Sequence, residues 1–154
     1  MPTRLIATDM DGTLLRSDHR TISPRTRDAF ARARRAGIDV LAISGRQPYS
    51  MGAILAGSPL DGAIVGSNGS VAMDLASREV LFQETLEVAA QRALVEGLLR
   101  EFPDAKVSST RDAGNTYVTQ HGYAGDQDPG AEVARWAVTH RRAHLDEVLA
   151  EPSV

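Results

Sequence analysis

The sequence has no cysteine, and Lys106 is the one lysine among 17 basic residues. Disulfides and thiolate metal sites are therefore excluded. Aromatic residues make up only 5% of the chain, so no stacking platform stands out to select a ligand. No apolar run approaches the ~20 residues that a membrane helix needs. Met1-Pro2-Thr3-Arg4 leads straight into an apolar segment and leaves no room for a signal peptide, so the expected location is the cytoplasm. A net charge of −3 gives no whole-chain basic field for nucleic acid. Arg25, Arg27, Arg32, Arg34 and Arg35 do cluster, but Ala29, Phe30 and Ala33 mark the other face of their helix, which makes the cluster a solvated face.

What is present is an ordinary globular composition, 42% hydrophobic and 24% charged over 154 residues. Residues 4–8 read as a strand that stops at Asp9-Met10-Asp11-Gly12-Thr13-Leu14. In a strand, positions i and i+2 share a side, so Asp9 and Asp11 should emerge together at its carboxyl end. In an open α/β sheet, ligands bind at that end. Ser23 and Pro24 open a helix that Gly37 closes. The run 38–43 reads as a parallel strand buried on both faces, followed by a helix over 47–55 and a strand at 63–66. Strand and helix alternate as in a doubly wound α/β domain.

The pattern then changes. Segments 71–73 and 79–82 flank a turn and predict a hairpin. A helix over 86–102 carries Leu94, Leu98 and Leu99 at helical spacing, and Pro103 stops it. Strands are expected at 105–109 and 115–119, a loop over 121–130, and a helix over 131–141 packed by Trp136. His19, His121, His140 and His144 lack metal-ligand spacing and read as surface or structural residues.

The first turn, together with Ala42-Ile43-Ser44-Gly45-Arg46 and Val65-Gly66-Ser67-Asn68-Gly69, resembles the haloacid dehalogenase superfamily of phosphoryl-transfer enzymes. The succession is similar to its Cof-like sugar-phosphate phosphatase branch. The resemblance is specific over residues 4–86. It implies a Rossmannoid parallel sheet over 1–84 and part of an α+β cap domain over 85–154. It also implies a magnesium-dependent phosphatase of small phosphorylated metabolites. Asp9 would be the nucleophile that becomes an aspartyl-phosphate, and Asp11 the general acid and base. The Asp9 carboxylate and the Asp11 backbone carbonyl would hold the metal. Gly12, Thr13, Ser44, Gly45, Arg46 and Asn68 would face phosphate or substrate.

The family also requires a lysine and a second acidic loop, which its cap-bearing members carry beyond the span covered here. Two further readings follow from that. One is a non-catalytic fragment or degenerate relative that binds phosphate without turnover. The other is a small capless phosphatase that takes its lysine from Lys106 and its acidic loop from Gly125-Asp126-Gln127-Asp128. Without the fourth and fifth core strands of the family, the Asp9 strand is expected at a sheet edge, which invites pairing with a second copy of the chain.

Overall fold

The computed structural model describes residues 2–123 and 138–154. The chain divides into two compact units, Met1–Gln83 and Glu84–Val154. In the first unit, β1 (Leu5–Asp9), β2 (Asp39–Ile43) and β3 (Ala63–Gly66) run parallel, with α1 (Pro24–Arg35) and α2 (Pro48–Leu55) between them. Two antiparallel strands, β4 (Val71–Asp74) and β5 (Val80–Gln83), complete the sheet in the order β1-β2-β3-β4-β5. This is the mixed α/β, Rossmannoid sheet that the resemblance implies, with its parallel strands first.

Local chemistry fixes the punctuation. Ser23 Oγ accepts from Thr26 N at 3.1 Å, and Pro24 stands in the first turn of α1. Gly37 ends that helix at φ +74, where a side chain would be strained. Met10, Leu14, Ile22, Ala42, Met51, Leu55, Leu60, Ile64, Val71 and Met73 form the buried core. Arg34 of the basic cluster pairs with Asp61 at 2.9 Å, in keeping with a solvated helix face.

β1 and β2 are not buried on both faces. Leu5 is 54% exposed, Ile43 is 38% exposed, and Ala42 is the buried member of β2. The reason is position: among the described residues β1 has a neighbour on one side alone, so it forms an edge.

The second unit pairs β6 (Ser108–Arg111) antiparallel with β7 (Thr116–Gln120), and β7 parallel with β8 (Thr139–Ala143). Helices α3 (Val88–Glu101) and α4 (Leu145–Val148) belong to the same unit. Val118, Ala143, Val148 and Leu149 form its core, with Val95, Val107 and Leu145 packed against them. Arg111 is buried as well; it donates to Glu147 O at 2.9 Å and Val148 O at 3.1 Å, and it pairs with Glu151. Near the end of the chain, Ser153 bridges antiparallel to Leu86.

Several expectations need correction here. Leu94 and Leu98 are exposed; α3 turns Val95 inward and buries Gln91, whose amide donates to Leu86 O and Glu151 O at 2.7 and 2.9 Å. Lys106 precedes β6 rather than lying in it. Residues 139–141 are strand, because pairing with β7 fixes them extended; the rest of the expected helix, Trp136 and the Asp126 loop lie outside the described residues. No helix among the described residues is long and apolar enough to cross a membrane.

Candidate active site

The register of the parallel strands sets the site. Asp9 pairs with Ile43, and Ile43 with Val65, so β1 and β2 end level and β3 runs one residue further. Asp9 is exposed, the last residue of β1. Next comes the wide turn Met10–Leu14, closed by Leu15 N donating to Met10 O at 2.9 Å. Met10 and Leu14 anchor it in the core while Asp11, Gly12 and Thr13 face outward. Gly12 takes φ +76, a conformation that an L side chain adopts at a cost, and so the turn requires glycine.

Asp11 ties the first loop to the second. Arg46 grips it as a fork, with Nε donating to Oδ2 at 2.7 Å and Nη2 to Oδ1 at 2.6 Å. The His19 ring adds a third donor, Nδ1 to Oδ1 at 2.9 Å. Arg46 first, and His19 second, hold the Asp11 carboxyl far below the usual carboxylate range. Asp11 in turn raises Arg46.

Loops two and three are locked just as closely. Ser44 is buried; its backbone N donates to Val65 O at 2.9 Å, and its hydroxyl accepts from Arg46 N at 3.2 Å. Ser67 N donates to Arg46 O at 2.8 Å, and the Ser67 hydroxyl bonds the Gln47 side chain. A Cβ at Gly45 would stand 2.7 Å from Asn68 Oδ1, so the Asn68 amide occupies the space that a side chain would fill. A Cβ at Gly66 would meet Arg46 O at 2.9 Å.

The structure thus brings together Asp11, Ser44, Gly45, Arg46 and Asn68, with Asp9, Gly12 and Thr13 on the adjoining turn. Lys106 belongs to the other unit, ahead of β6. A cavity of about 420 Å³ opens at the opposite, amino ends of the parallel strands, lined by Leu5, Ile38, Asp39, Pro59 and Ala63. It is not part of this site. Sequence reasoning missed His19, Gln47, Ser67 and Gly66. For Gly66 a signal existed, a glycine closing a strand where backbones approach; His19, eight residues from Asp11, carried none.

A family model for haloacid dehalogenase-like hydrolases matches residues 6–142. The chain is 34% identical over 98 residues to pyridoxal phosphate phosphatase YbhA of Escherichia coli K12, covering 64% of this chain and 36% of that protein. It is 35% identical over 102 residues to 5-amino-6-(5-phospho-D-ribitylamino)uracil phosphatase YwtE of Bacillus subtilis 168, covering 64% and 35%. Among solved structures, SMU.1108c from Streptococcus mutans UA159 superposes with a TM-score of 0.74 at 15% identity, over 99% of this chain and 55% of that one. The phosphatase BT1666 from Bacteroides thetaiotaomicron gives 0.68 at 20% identity, over 96% and 52%. The matches span about a third of the curated relatives and about half of the solved structures. With a family match running from β1 into β8, this chain belongs to the haloacid dehalogenase-like hydrolases.

Proposed function

We propose that the chain carries the nucleophile half of a magnesium-dependent phosphatase for small phosphorylated metabolites such as sugar phosphates. The contrast between Asp9 and Asp11 is the observation that carries this reading. Asp11 is held by three donors, whereas the Asp9 carboxylate has no hydrogen-bond or ion-pair partner among the described residues. An unengaged carboxylate at the end of a parallel strand is available to attack. The curated relatives support the substrate class, being named for phosphatase action on pyridoxal phosphate and on a phosphoribitylamino uracil.

In the first step Asp9 attacks phosphorus in line, an oxygen–phosphorus bond forms, and the bond to the leaving oxygen breaks. Asp11, held ionised by Arg46 and His19, relays the proton of the phosphomonoester monoanion to the leaving oxygen, then takes one from the water that attacks the aspartyl-phosphate, which releases phosphate and restores Asp9. The Ser44 hydroxyl donates to a phosphoryl oxygen. The Gly12, Thr13 and Gly45 backbone amides, with Asn68 beside them, face the anion. The donors at hand suit magnesium: the Asp9 carboxylate and the Asp11 backbone carbonyl are hard oxygens. No cluster of three acidic or histidine ligands exists among the described residues, so Asp9 and Asp11 would supply only part of the metal's shell. Bound there, the ion would offset charge between Asp9 and the phosphoryl group. Residues 85–154 we read as part of an α+β cap domain.

One observation favours a second reading, phosphate binding without turnover: the first unit contains no lysine, as Lys106 lies in the second. Hydrolysis of p-nitrophenyl phosphate with magnesium decides between them. Turnover that disappears in Asp9→Asn supports the phosphatase; a chain that binds inorganic phosphate yet never turns over overturns it. We also propose that β1, an edge strand without proline or lysine to block pairing, joins a second copy of the chain. A monomer in light scattering at micromolar concentration overturns this.

A further inference from the structure

Three donors converge on the two oxygens of Asp11, and they come from separate loops. Arg46 supplies two from the loop after β2, and His19 supplies the third from a turn over residues 16–21. That turn holds the ring in place. Leu15 and Ile22 close its base as an antiparallel bridge. Arg16 N donates to Thr21 O, and His19 N to Arg16 O, both at 2.9 Å. The Asp18 carboxylate accepts from Arg20 N, Thr21 N and the Thr21 hydroxyl.

Within this frame His19 sits at φ +56, in the left-handed region that glycine or asparagine occupies at least cost. A turn with no task at its tip has no need of a histidine there. Burial does not compensate for the strain, because the side chain is 64% exposed. What the residue gains is its contact with the Asp11–Arg46 pair, made twice over: the ring donates to Asp11, and the His19 carbonyl accepts from Arg46 Nη2 at 3.0 Å. Strain held at an exposed tip and directed at a working group points to function.

We infer that His19 is a positioning residue for Asp11, fixing the orientation of the carboxylate against Arg46 from the far side of the site. The inference rests on the reading of Asp11 as the acid–base group of phosphoryl transfer.

The test uses the whole 154-residue chain. With the rings neutral, ¹⁵N spectra of the histidines should show His19 as the Nδ1–H tautomer, and Asp11→Asn should abolish that preference. His19→Gly removes the ring and relieves the backbone, so the melting temperature should hold or rise. The Arg46 Nε–H should then exchange with water about tenfold faster, the scale on which outer partners of a working group act. His19→Asn places an amide N–H where Nδ1 stood and tolerates the left-handed turn, so it should restore the protection. A purely structural histidine would lower the melting temperature and leave Arg46 unmoved. An Nε2–H tautomer indifferent to Asp11→Asn, or unchanged Arg46 exchange in His19→Gly, overturns the inference. p-Nitrophenyl phosphate hydrolysis, run in parallel, should lose about tenfold in kcat at constant KM in His19→Gly and regain it in His19→Asn. A wild-type chain with both spectral signatures but no turnover overturns the phosphatase reading and leaves the placement of Asp11 by His19 supported.

Discussion

The loops that join β3 to β4 and β6 to β7 have almost the same backbone and opposite duties. Each has four residues and is closed by a cross-strand pair, Gly66 with Val71 in one and Arg111 with Thr116 in the other. Ser67, Asn68 and Gly69 take φ of 52°, 55° and 100°; Asp112, Ala113 and Gly114 take 52°, 51° and 93°. Ser70 and Asn115 then return to right-handed values. The first loop turns outward, with Asn68 exposed against Gly45 and Ser67 bonded to Gln47 and Arg46. The second turns inward, burying Ala113 and Gly114 while Asp112 accepts from Thr116 Oγ1 at 2.5 Å. A strained turn can therefore serve a site or a core, and the flanking residue decides which. At the same place stand Gly66, which admits the Arg46 backbone, and Arg111, whose guanidinium fills the space.

Removing the guanidinium should have the largest effect. Arg111→Ala leaves the Glu147 and Val148 carbonyls without their donor and should cost about 3 kcal/mol in urea unfolding of the second unit. Gly66→Ala attacks the counterpart: its Cβ would stand 2.9 Å from Arg46 O, so the Ser44–Arg46 loop must move. We expect a loss of about 1–3 kcal/mol, measured the same way, together with weaker phosphate binding.

Acid should unload the first loop's unit, since Asp11, Asp18 and Asp74 all lie there with lowered carboxyls. Thr21 chiefly draws Asp18 down to about 2, and Ser77 lowers Asp74. A carboxyl depressed by folding contributes stability above its unfolded value of about 4, and that contribution is lost as pH falls through the folded value. Amide spectra of the first unit, followed from neutral pH downward, should show stability declining below that point. Asp11→Asn should flatten part of the slope.

The smallest effect tests whether the two loops are interchangeable. Asn68→Ala copies the centre of the second loop, where alanine already holds a left-handed φ. Stability should change by about 1 kcal/mol or less, while the affinity for inorganic phosphate should fall. A large loss of stability with unchanged phosphate affinity would reverse the assignment of duties.

Local punctuation was what the sequence made legible. Ser23-Pro24 and Gly37 bound α1, and Asp9 with Gly12 marks the strand end and its turn, because capping and backbone sterics act within a few residues. The Ser44–Arg46 loop could be read for the same reason. Which face of a helix packs is a tertiary matter: Leu94 and Leu98 have the right period, yet α3 buries Gln91, whose two carbonyl partners lie at Leu86 and at distant Glu151. Thr139-His140-Arg141-Arg142-Ala143 has no apolar alternation to announce β8; pairing with β7 supplies what its side chains do not. The meeting of His19 with Asp11 belongs to the same class, since it depends on how a turn folds back.

The alignment of Asp9, Ile43 and Val65 makes the chemistry hostage to the packing. Side chains alternate along a strand, so sliding β1 by one place along β2 would send its apolar residues and its carboxylate to opposite sides together. Packing and reactivity share one ruler, and no mutation can shift the strand for the sake of either alone. Drift in the interior, at Ala42 or Ile64 for example, is consequently constrained from a place where no substrate ever arrives.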